Sequence, residues 1–189
     1  MPESDEQLID RWRERGETSA LAELAERYLS QFYGTARAMM LSDSQAEDVA
    51  QETMLKVVRW IDSFDTRATF RTWSYTILVN TIRSDLRRQK TRSQHFDAAA
   101  DVTRVAATNQ SHETLLTQQE TRNEIEHALT HLTDKQRTAL VLMVTEGLSA
   151  ADVAEIENCS VDAVYQRVSE ARKSLRNAPA LRQLWQDHR

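Results

Sequence analysis

The polar side chains with the clearest chemical potential lie on one predicted helix near the C-terminal end of the sequence. Apolar residues recur there at steps of three and four and predict one buried stripe: Val161, Val164, Val168, Ala171 and Leu175. The other face carries groups that can reach base edges or phosphates: Tyr165, Gln166, Arg167, Ser169, Arg172 and Lys173. A solvated face of a small helical bundle is the plain alternative, but the clustered cations favour DNA contact.

Two shorter predicted helices precede this one and would hold it in place. Thr133 and Gln136 have the spacing of a capping box, and Ser149 with Asp152 caps the next helix. A turn at Asn158-Cys159 then leads to Ser160, the predicted cap of the last helix. Three capped helices joined by tight turns indicate a helix-turn-helix, the arrangement that lays its last helix in the major groove of DNA.

A second candidate site lies on a predicted helix that begins near Phe70. Trp73 and Tyr75 follow within two turns, and Asn80 and the basic residues Arg83, Arg87 and Arg88 come after them. Aromatic rings interleaved with cations suit single-stranded nucleic acid, because bases stack on rings while cations track the backbone. Burial of Phe70 and Trp73 in a core is the competing interpretation, and the pattern alone slightly favours it.

Composition sets the class of protein. Three glycines and two prolines in 189 residues, with 28% charged residues, predict an almost entirely helical chain. The net charge of −5 argues against a histone-like binder of nucleic acid. Cys159 is the only cysteine, so no disulfide within the chain is expected. No signal-peptide pattern or membrane-spanning run is visible, which predicts a cytoplasmic protein without membrane insertion.

No pattern in the sequence points to catalysis. A glycine-rich phosphate loop is practically excluded by the scarcity of glycine, and no nucleophile–base set or carboxylate pair stands out. We therefore expect no enzyme activity, no cofactor and no metal.

The helical periodicity divides the chain into two domains. It predicts an N-terminal helical domain over residues 1–92, a flexible linker over 93–115 that is rich in Ala, Thr, Asp, Asn and Gln, and a C-terminal helix-turn-helix domain over 116–189. In the first domain, a helix that begins after Ser42 is apolar on one side. Its polar side is either solvated or a docking surface for a partner of complementary charge.

The ordered set of motifs resembles the bacterial extracytoplasmic-function (ECF) sigma factors, the smallest promoter-recognition subunits of RNA polymerase. The resemblance covers about residues 7–176. It is carried by Ala46-Glu-Asp-Val-Ala-Gln-Glu-Thr, Phe64-Asp, Phe70-Arg-Thr-Trp-Ser-Tyr, Leu132-Thr-Asp-Lys-Gln-Arg, Glu146-Gly-Leu-Ser and Ala171-Arg-Lys. Any one of these motifs is weak, but their order and spacing together are specific.

The resemblance implies roles for particular residues. Core polymerase would be the partner, through its β′ clamp helices and β flap. Its binding residues would be Asp48, Gln51, Glu52, Lys56 and Arg59, with the face of Asp48, Gln51 and Glu52 on the β′ clamp helices. The single-stranded −10 element would be held by Phe64, Asp65, Phe70, Trp73, Tyr75, Asn80, Arg83, Arg87 and Arg88. The duplex −35 element would be contacted by Tyr165, Gln166, Arg167, Ser169, Glu170, Arg172 and Lys173.

The resemblance also implies regulation by an anti-sigma factor that covers the polymerase-binding face or wedges between the domains. Two departures from the family pattern concern the −35 reader: Tyr165 and Glu170 stand where cations are common, and Glu157-Asn158 replaces a frequent Leu-Gly turn. Two other functions stay open from the residues alone. One is an autonomous helix-turn-helix regulator, and the other is a helical adaptor that binds only proteins.

Overall fold

The fold was examined in a computed structural model of the protein, which describes residues 3–96 and 128–176. Within these two segments every regular element is a helix, so the predicted all-α fold of two small helical domains is confirmed. The N-terminal domain consists of α1 (Asp5–Arg15), α2 (Thr18–Ala38), α3 (Asp43–Trp60) and α4 (Phe70–Phe96). The C-terminal domain contains α5 (Asp134–Leu140), α6 (Ala150–Glu157) and α7 (Val161–Arg176).

Helix α4 is longer than the sequence pattern predicted. It continues to Phe96 and so includes the first four residues of the predicted linker. The remainder of that linker, residues 97–115, and the tail after Pro179 lie outside the described residues.

Aromatic rings form the centre of the N-terminal domain. Phe32 is fully buried, with its ring centroid 5.6 Å from Tyr28 and 5.7 Å from Tyr75. Phe70 continues the cluster, edge-on to Tyr28 at 5.3 Å and to Phe64 at 5.8 Å. Tilted and edge-to-face rings at these separations add to the stabilisation from apolar burial. Helices α2 and α4 and the loop after α3 are thereby fixed to one another.

Backbone groups at the helix ends are satisfied by the side chains that the sequence indicated. Capping boxes form at Ser42 with Gln45, at Thr133 with Gln136 and at Ser149 with Asp152. Asn158 ends α6 in the left-handed conformation, with φ 47°. Asparagine tolerates this conformation better than most residues, so the Glu157-Asn158 turn replaces a glycine turn without breaking the motif.

One turn of the C-terminal domain departs from ordinary helical geometry. Residues 141–145 form a π-helical turn after α5, and the Glu146 backbone N–H donates to the Val141 carbonyl five residues earlier, at 3.1 Å. Val144 lies inside this turn and is 56% exposed, so an apolar side chain of the turn faces solvent. Val161 is likewise on the surface, so the buried stripe of α7 begins at Val164.

We expect Phe32→Ala to lower the free energy of unfolding by about 3–5 kcal/mol, because the vacated ring position leaves a cavity between α2 and α4. Urea denaturation followed by circular dichroism measures this change. Leu55→Ala, at a 72% exposed position, is the control and is expected to stay within about 0.5 kcal/mol of wild type. Similar changes in the free energy of unfolding for the two variants would show that the aromatic cluster does not stabilise the N-terminal domain.

Candidate nucleic-acid interface

The polar face of α3 is open to solvent and includes one apolar residue that the sequence pattern did not single out. Asp48, Gln51 and Arg59 are exposed on the face assigned by resemblance to polymerase binding. Leu55 lies among them on the same face, one turn after Gln51, and is 72% exposed. A large exposed apolar side chain within a charged ring is the usual anatomy of a protein-binding surface. The signal that could have found it is the helical spacing of Leu55 from Asp48 and Gln51.

Two members of the α3 set are partly used within the protein. The Lys56 ammonium lies 2.7 Å from the Glu52 carboxylate and donates to the Thr81 hydroxyl at 3.0 Å. Arg88 of α4 reaches the other Glu52 oxygen at 3.2 Å. Lys56 first, and then Arg88, hold the pKa of Glu52 below its ordinary value. Glu52 therefore stays ionised and links the polar face of α3 to the basic end of α4.

The loop between α3 and α4 is fixed at its base and exposed at its tip. Arg13 of α1 donates to the Ile61 carbonyl at 2.7 Å and also to the Phe64 carbonyl. At the tip, the Arg67 guanidinium and backbone N–H both donate to the exposed Asp65 carboxylate, which lowers the pKa of that carboxyl. The tip therefore offers polar groups to solvent from a base that the core holds still.

The aromatic residues predicted for the −10 site separate into two groups. Phe64, Phe70 and Tyr75 are buried, so in this conformation they have no face on which a base could stack. They support the site as core residues, which is the interpretation that the sequence pattern slightly favoured for Phe70. Trp73 is half-buried, with its ring 5.4 Å from Phe64 and 5.7 Å from Phe70, and keeps part of its surface open.

The polar residues further along α4 also differ in exposure. Asn80, Arg87 and Arg88 are exposed. Arg83 instead turns toward the C-terminal domain and donates to the Glu157 carboxylate.

The reader helix α7 keeps most of its predicted polar face in solvent. Six of the seven assigned residues are exposed there: Tyr165, Gln166, Ser169, Glu170, Arg172 and Lys173. The Glu170 carboxylate accepts from Gln136 of α5 at 2.9 Å and from Gln166 at 3.0 Å, and these two bonds lower its pKa. Two amides therefore hold an ionised carboxylate in one orientation on the exposed face of the helix.

Arg167 is the exception on α7. Its guanidinium donates to the Glu157 carboxylate at 3.2 Å and contacts the Cys159 sulfur at 3.3 Å, and its side chain is only 18% exposed. In this conformation Arg167 is directed into the protein, away from the position that a phosphate contact requires.

The two domains meet along α4 through three carboxylates of the C-terminal domain. Glu146 accepts from Tyr75 at 2.5 Å and from Thr35 of α2 at 2.8 Å. Asp152 accepts from the Thr72 hydroxyl at 2.9 Å. Glu157, with a 1% exposed side chain, is the third carboxylate and is shared by Arg83 and Arg167.

Arg71 completes the contact around Glu146. It donates to the Glu146 carbonyl at 2.5 Å and lies over the Tyr75 ring, 5.6 Å from its centroid. Burial raises the pKa of the Tyr75 hydroxyl, and the adjacent Glu146 carboxylate raises it further. Tyr75 therefore remains a hydrogen-bond donor in the closed arrangement of the two domains.

Two other kinds of site were sought among residues 3–96 and 128–176. No group of three or more His, Cys, Asp or Glu side chains in these segments is arranged to hold a metal ion. None of the helices in the same segments combines the length and the apolar character needed to cross a bilayer.

A helix-turn-helix domain joined to an aromatic and basic helical domain defines a DNA-binding protein of the promoter-recognising class. Family models agree with this class: Sigma-70 region 2 matches residues 24–92, and Sigma-70 region 4 matches residues 122–175. The chain is 31% identical over 169 residues to the ECF RNA polymerase sigma factor SigW of Bacillus subtilis (strain 168), covering 86% of this chain and 90% of that protein. It is 30% identical over 189 residues to the RNA polymerase sigma-H factor of Pseudomonas aeruginosa, with 96% and 97% covered. The chain belongs to the ECF sigma factor family, the subunits that direct RNA polymerase to promoter DNA.

Solved structures share the fold. The sigma factor RpoE from Bartonella quintana, crystallised with the anti-sigma factor NepR, matches with a TM-score of 0.68 and 27% identity, over 83% of this chain and 94% of that one. CnrH, solved with the cytosolic domain of CnrY, matches with a TM-score of 0.69 and 24% identity, over 92% and 95% of the two chains. The second likeness concerns the fold alone.

Asp152 predicts a pH dependence of stability. The Ser149 hydroxyl lowers the pKa of Asp152, and the Thr72 hydroxyl across the domain interface lowers it further. A carboxyl whose pKa is lower in the folded than in the unfolded protein stabilises the fold above its unfolded pKa. That stabilisation is lost as the pH falls through the folded pKa. We expect Asp152→Asn to cost about 1 kcal/mol at pH 7 and progressively less as the pH falls from the unfolded pKa through the folded pKa.

The measurement is urea denaturation of both proteins across this pH range. Asp10→Asn, at an exposed position of α1, is the matched control and is expected to have little effect at any pH. An Asp152→Asn cost that is the same at every pH would contradict the assignment.

Proposed function

We propose that the two domains of this sigma factor divide promoter recognition between a single-strand site on α4 and a duplex reader on α7, while α3 binds core polymerase. The observation that carries this proposal is the distribution of exposed polar groups. Each of the three helices keeps an exposed polar face directed away from its own domain core. The protein on this proposal acts in the cytoplasm and catalyses no reaction itself, because the chemistry belongs to the polymerase.

Core polymerase is bound on this proposal by Asp48, Gln51, Glu52, Lys56 and Arg59, with Leu55 at the centre of the contact. Apolar residues at the centre of a charged ring carry most of the affinity in many interfaces, because the ring excludes water from them. Leu55 meets this condition on α3. The exposed Leu55 side chain takes no part in the buried core of its own domain.

The −10 element is bound on this proposal by the loop tip around Asp65, by the open edge of Trp73, and by Asn80, Arg87 and Arg88. Phe64, Phe70 and Tyr75 position these groups from the core instead of touching bases. Stacking on an aromatic ring contributes about 1–3 kcal/mol per base and tolerates any base. Trp73 is the residue of this set whose ring is partly open and also fixed by neighbouring rings.

The −35 element is read on this proposal by Tyr165, Gln166, Ser169 and Glu170, with Arg172 and Lys173 on the phosphates. The N-terminal turns of a reader helix lie nearest to the base edges, and Tyr165 is 57% exposed in that part of α7. Glu170 can accept a hydrogen bond from the amino group of cytosine. Its amide partners Gln136 and Gln166 fix its orientation, which gives the site a preference for particular bases.

An anti-sigma factor is the proposed regulator. The support is the likeness to RpoE of Bartonella quintana, whose structure was solved with its anti-sigma factor NepR. The exposed face of α3 around Leu55 is the surface that such a partner would have to cover to prevent polymerase binding.

Reconstitution with bacterial core polymerase tests the polymerase assignment. We expect stoichiometric binding and specific transcripts from a pool of promoter fragments, and we expect Leu55→Asp to weaken core binding at least tenfold. Ala22→Asp introduces the same charged residue at an exposed position of α2 and is expected to bind like wild type. A wild-type chain that is folded but binds no core polymerase would overturn the proposal. Equal binding by the two variants would remove Leu55 from the site.

Trp73→Ala tests the single-strand assignment. We expect it to reduce open-complex formation about 5- to 100-fold while closed-complex binding changes little, because the stacking energy is gained only after the duplex opens. Permanganate reactivity of promoter thymines measures opening, and a gel-shift assay measures closed-complex binding. Trp73→Phe keeps an aromatic face and is expected to retain most of the activity. An equal loss in both assays would mean that Trp73 serves only the core.

A further inference from the structure

Two exposed apolar side chains lie at the N-terminal end of α7, the helix assigned to the −35 element. Val161 is the first residue of this helix and is 39% exposed, and Tyr165, four residues later, is 57% exposed. The core stripe of the same helix begins only at Val164, which is fully buried. Residues four apart share one side of a helix, so Val161 and Tyr165 form a single apolar edge that the domain core does not use.

The start of the helix holds this apolar edge in place. The Ser160 hydroxyl accepts from the Ala163 backbone N–H at 3.2 Å, and the Val164 backbone N–H donates to the Ser160 carbonyl at 3.2 Å. This cap fixes the backbone that carries Val161. Valine is β-branched, and a β-branched side chain has one strongly preferred rotamer in a helix. The methyl groups of Val161 therefore present a nearly fixed apolar surface to solvent.

The position of the apolar edge on α7 suits the major groove of DNA. Gln166 is exposed beside the edge, and the exposed cations Arg172 and Lys173 follow in later turns of the helix. An apolar centre inside a polar ring is typical of a protein-binding surface, whereas Val161 and Tyr165 lie at one end of the helix, ahead of its cations. In a reader helix the N-terminal residues lie nearest to the base edges. The apolar edge is thus placed against bases and the cations against phosphates.

Base pairs display only one apolar group in the major groove, the C5-methyl group of thymine. The other groups there are hydrogen-bond donors and acceptors. A valine side chain that covered those polar groups would remove their water without replacing its hydrogen bonds, which is unfavourable. Contact between Val161 and a thymine methyl group instead removes two apolar surfaces from water, which is favourable.

We infer that Val161 and Tyr165 together enclose the C5-methyl group of one thymine, so that the −35 reader of this sigma factor selects thymine at that position. The inference rests on the proposed function, in which α7 reads the −35 duplex. It adds Val161 to the residues that read bases and names the chemical group that Val161 recognises. Glu170, which can accept from cytosine, reads a different position by hydrogen bonding.

Substitution of thymine by uracil tests the methyl contact on the wild-type holoenzyme. Deoxyuridine lacks only the C5-methyl group of thymidine and keeps its base pairing and its O4 acceptor. In a promoter that the holoenzyme selects from the pool of fragments, we expect uracil at the recognised thymine of the −35 element to weaken binding about two- to fourfold, the effect of one desolvated methyl group. Competition between the two fragments measures this affinity ratio. A −35 element in which uracil binds as well as thymine at every position would overturn the inference, as would one without a required thymine.

Val161→Ser assigns the effect to this residue, because it removes both methyl groups of the side chain. Val144→Ser makes the same change at a 56% exposed position of the same domain, outside α7, and is the matched control. We expect the thymine-to-uracil affinity ratio to fall to about one for Val161→Ser and to keep its wild-type value for Val144→Ser. The ratio compares two DNA fragments on one protein, so a general loss of folding or affinity cancels. Equal ratios for the two variants would overturn the assignment.

Salt dependence separates the methyl contact from the phosphate contacts. Val161 carries no charge, so we expect Val161→Ser to leave the slope of log affinity against log salt concentration unchanged. Lys173→Ala is expected to reduce that slope by about one and to preserve the thymine-to-uracil ratio, because it removes a cation and leaves the methyl site intact. If Val161→Ser weakens binding to core polymerase and preserves the ratio, Val161 belongs to a protein contact and the inference fails.

The proposed function is judged separately, by specific transcription from the wild-type holoenzyme on the unmodified promoter. Specific transcription together with equal binding of thymine and uracil fragments would reject the methyl contact and leave −35 recognition in place. Absence of specific transcription would overturn both.

Discussion

The C-terminal domain presents three carboxylates to α4: Glu146, Asp152 and Glu157. Each accepts a hydrogen bond from a side chain of α4, and these contacts determine how the two domains pack against each other. A carboxylate removed from water is destabilising by several kcal/mol unless cations or hydrogen-bond donors replace the lost solvent. Glu157 has almost no exposed surface, and its replacement partners come from two domains at once. Because the donors on α4 are spaced along one face, a shift of α4 by one residue would leave the three carboxylates without them. The contact therefore specifies a single register between the domains.

The same contact is suited to opening. Beside apolar contacts, this interface contains charged and hydroxyl groups that water can satisfy after separation. The desolvation penalty of the carboxylates offsets most of the attraction, so a polar interface of this kind is specific without being strong. Competing phosphates or a partner that binds one domain can then shift the balance. This behaviour is what a two-domain promoter-recognition protein requires if its domains must bind elements that are far apart.

Helix α4 contributes both to the aromatic core of the N-terminal domain and to the contact with the C-terminal domain. Its first turns contribute Phe70 and Tyr75 to the aromatic centre, while Arg71 and Thr72 in the same turns reach the C-terminal domain. Asn80 and the basic residues beyond it emerge from the packed part of the helix. A helix anchored on one side by interlocked rings is stiff, so the polar groups that it carries are positioned precisely enough for recognition. The exposed part of α3 around Leu55 lies apart from the contact between the domains, so on the proposed function polymerase binding does not depend on that contact.

Much of this protein was determined by local sequence. The capping pairs at Ser42, Thr133 and Ser149, the left-handed turn at Asn158 and the buried stripe from Val164 onward all follow from contacts within a few residues, so their patterns predicted the helices correctly. The ordered motifs also sufficed for the family. Only the tertiary structure decided which aromatic residues are core, that Leu55 is exposed, and that Arg83 and Arg167 meet on Glu157. Those outcomes depend on which residues distant in sequence become neighbours, and burial and charge pairing are properties of the packed chain. The π-helical turn that exposes Val144 has the same origin, because a one-residue change in helical register is fixed by packing and leaves the apolar pattern of the sequence unaltered.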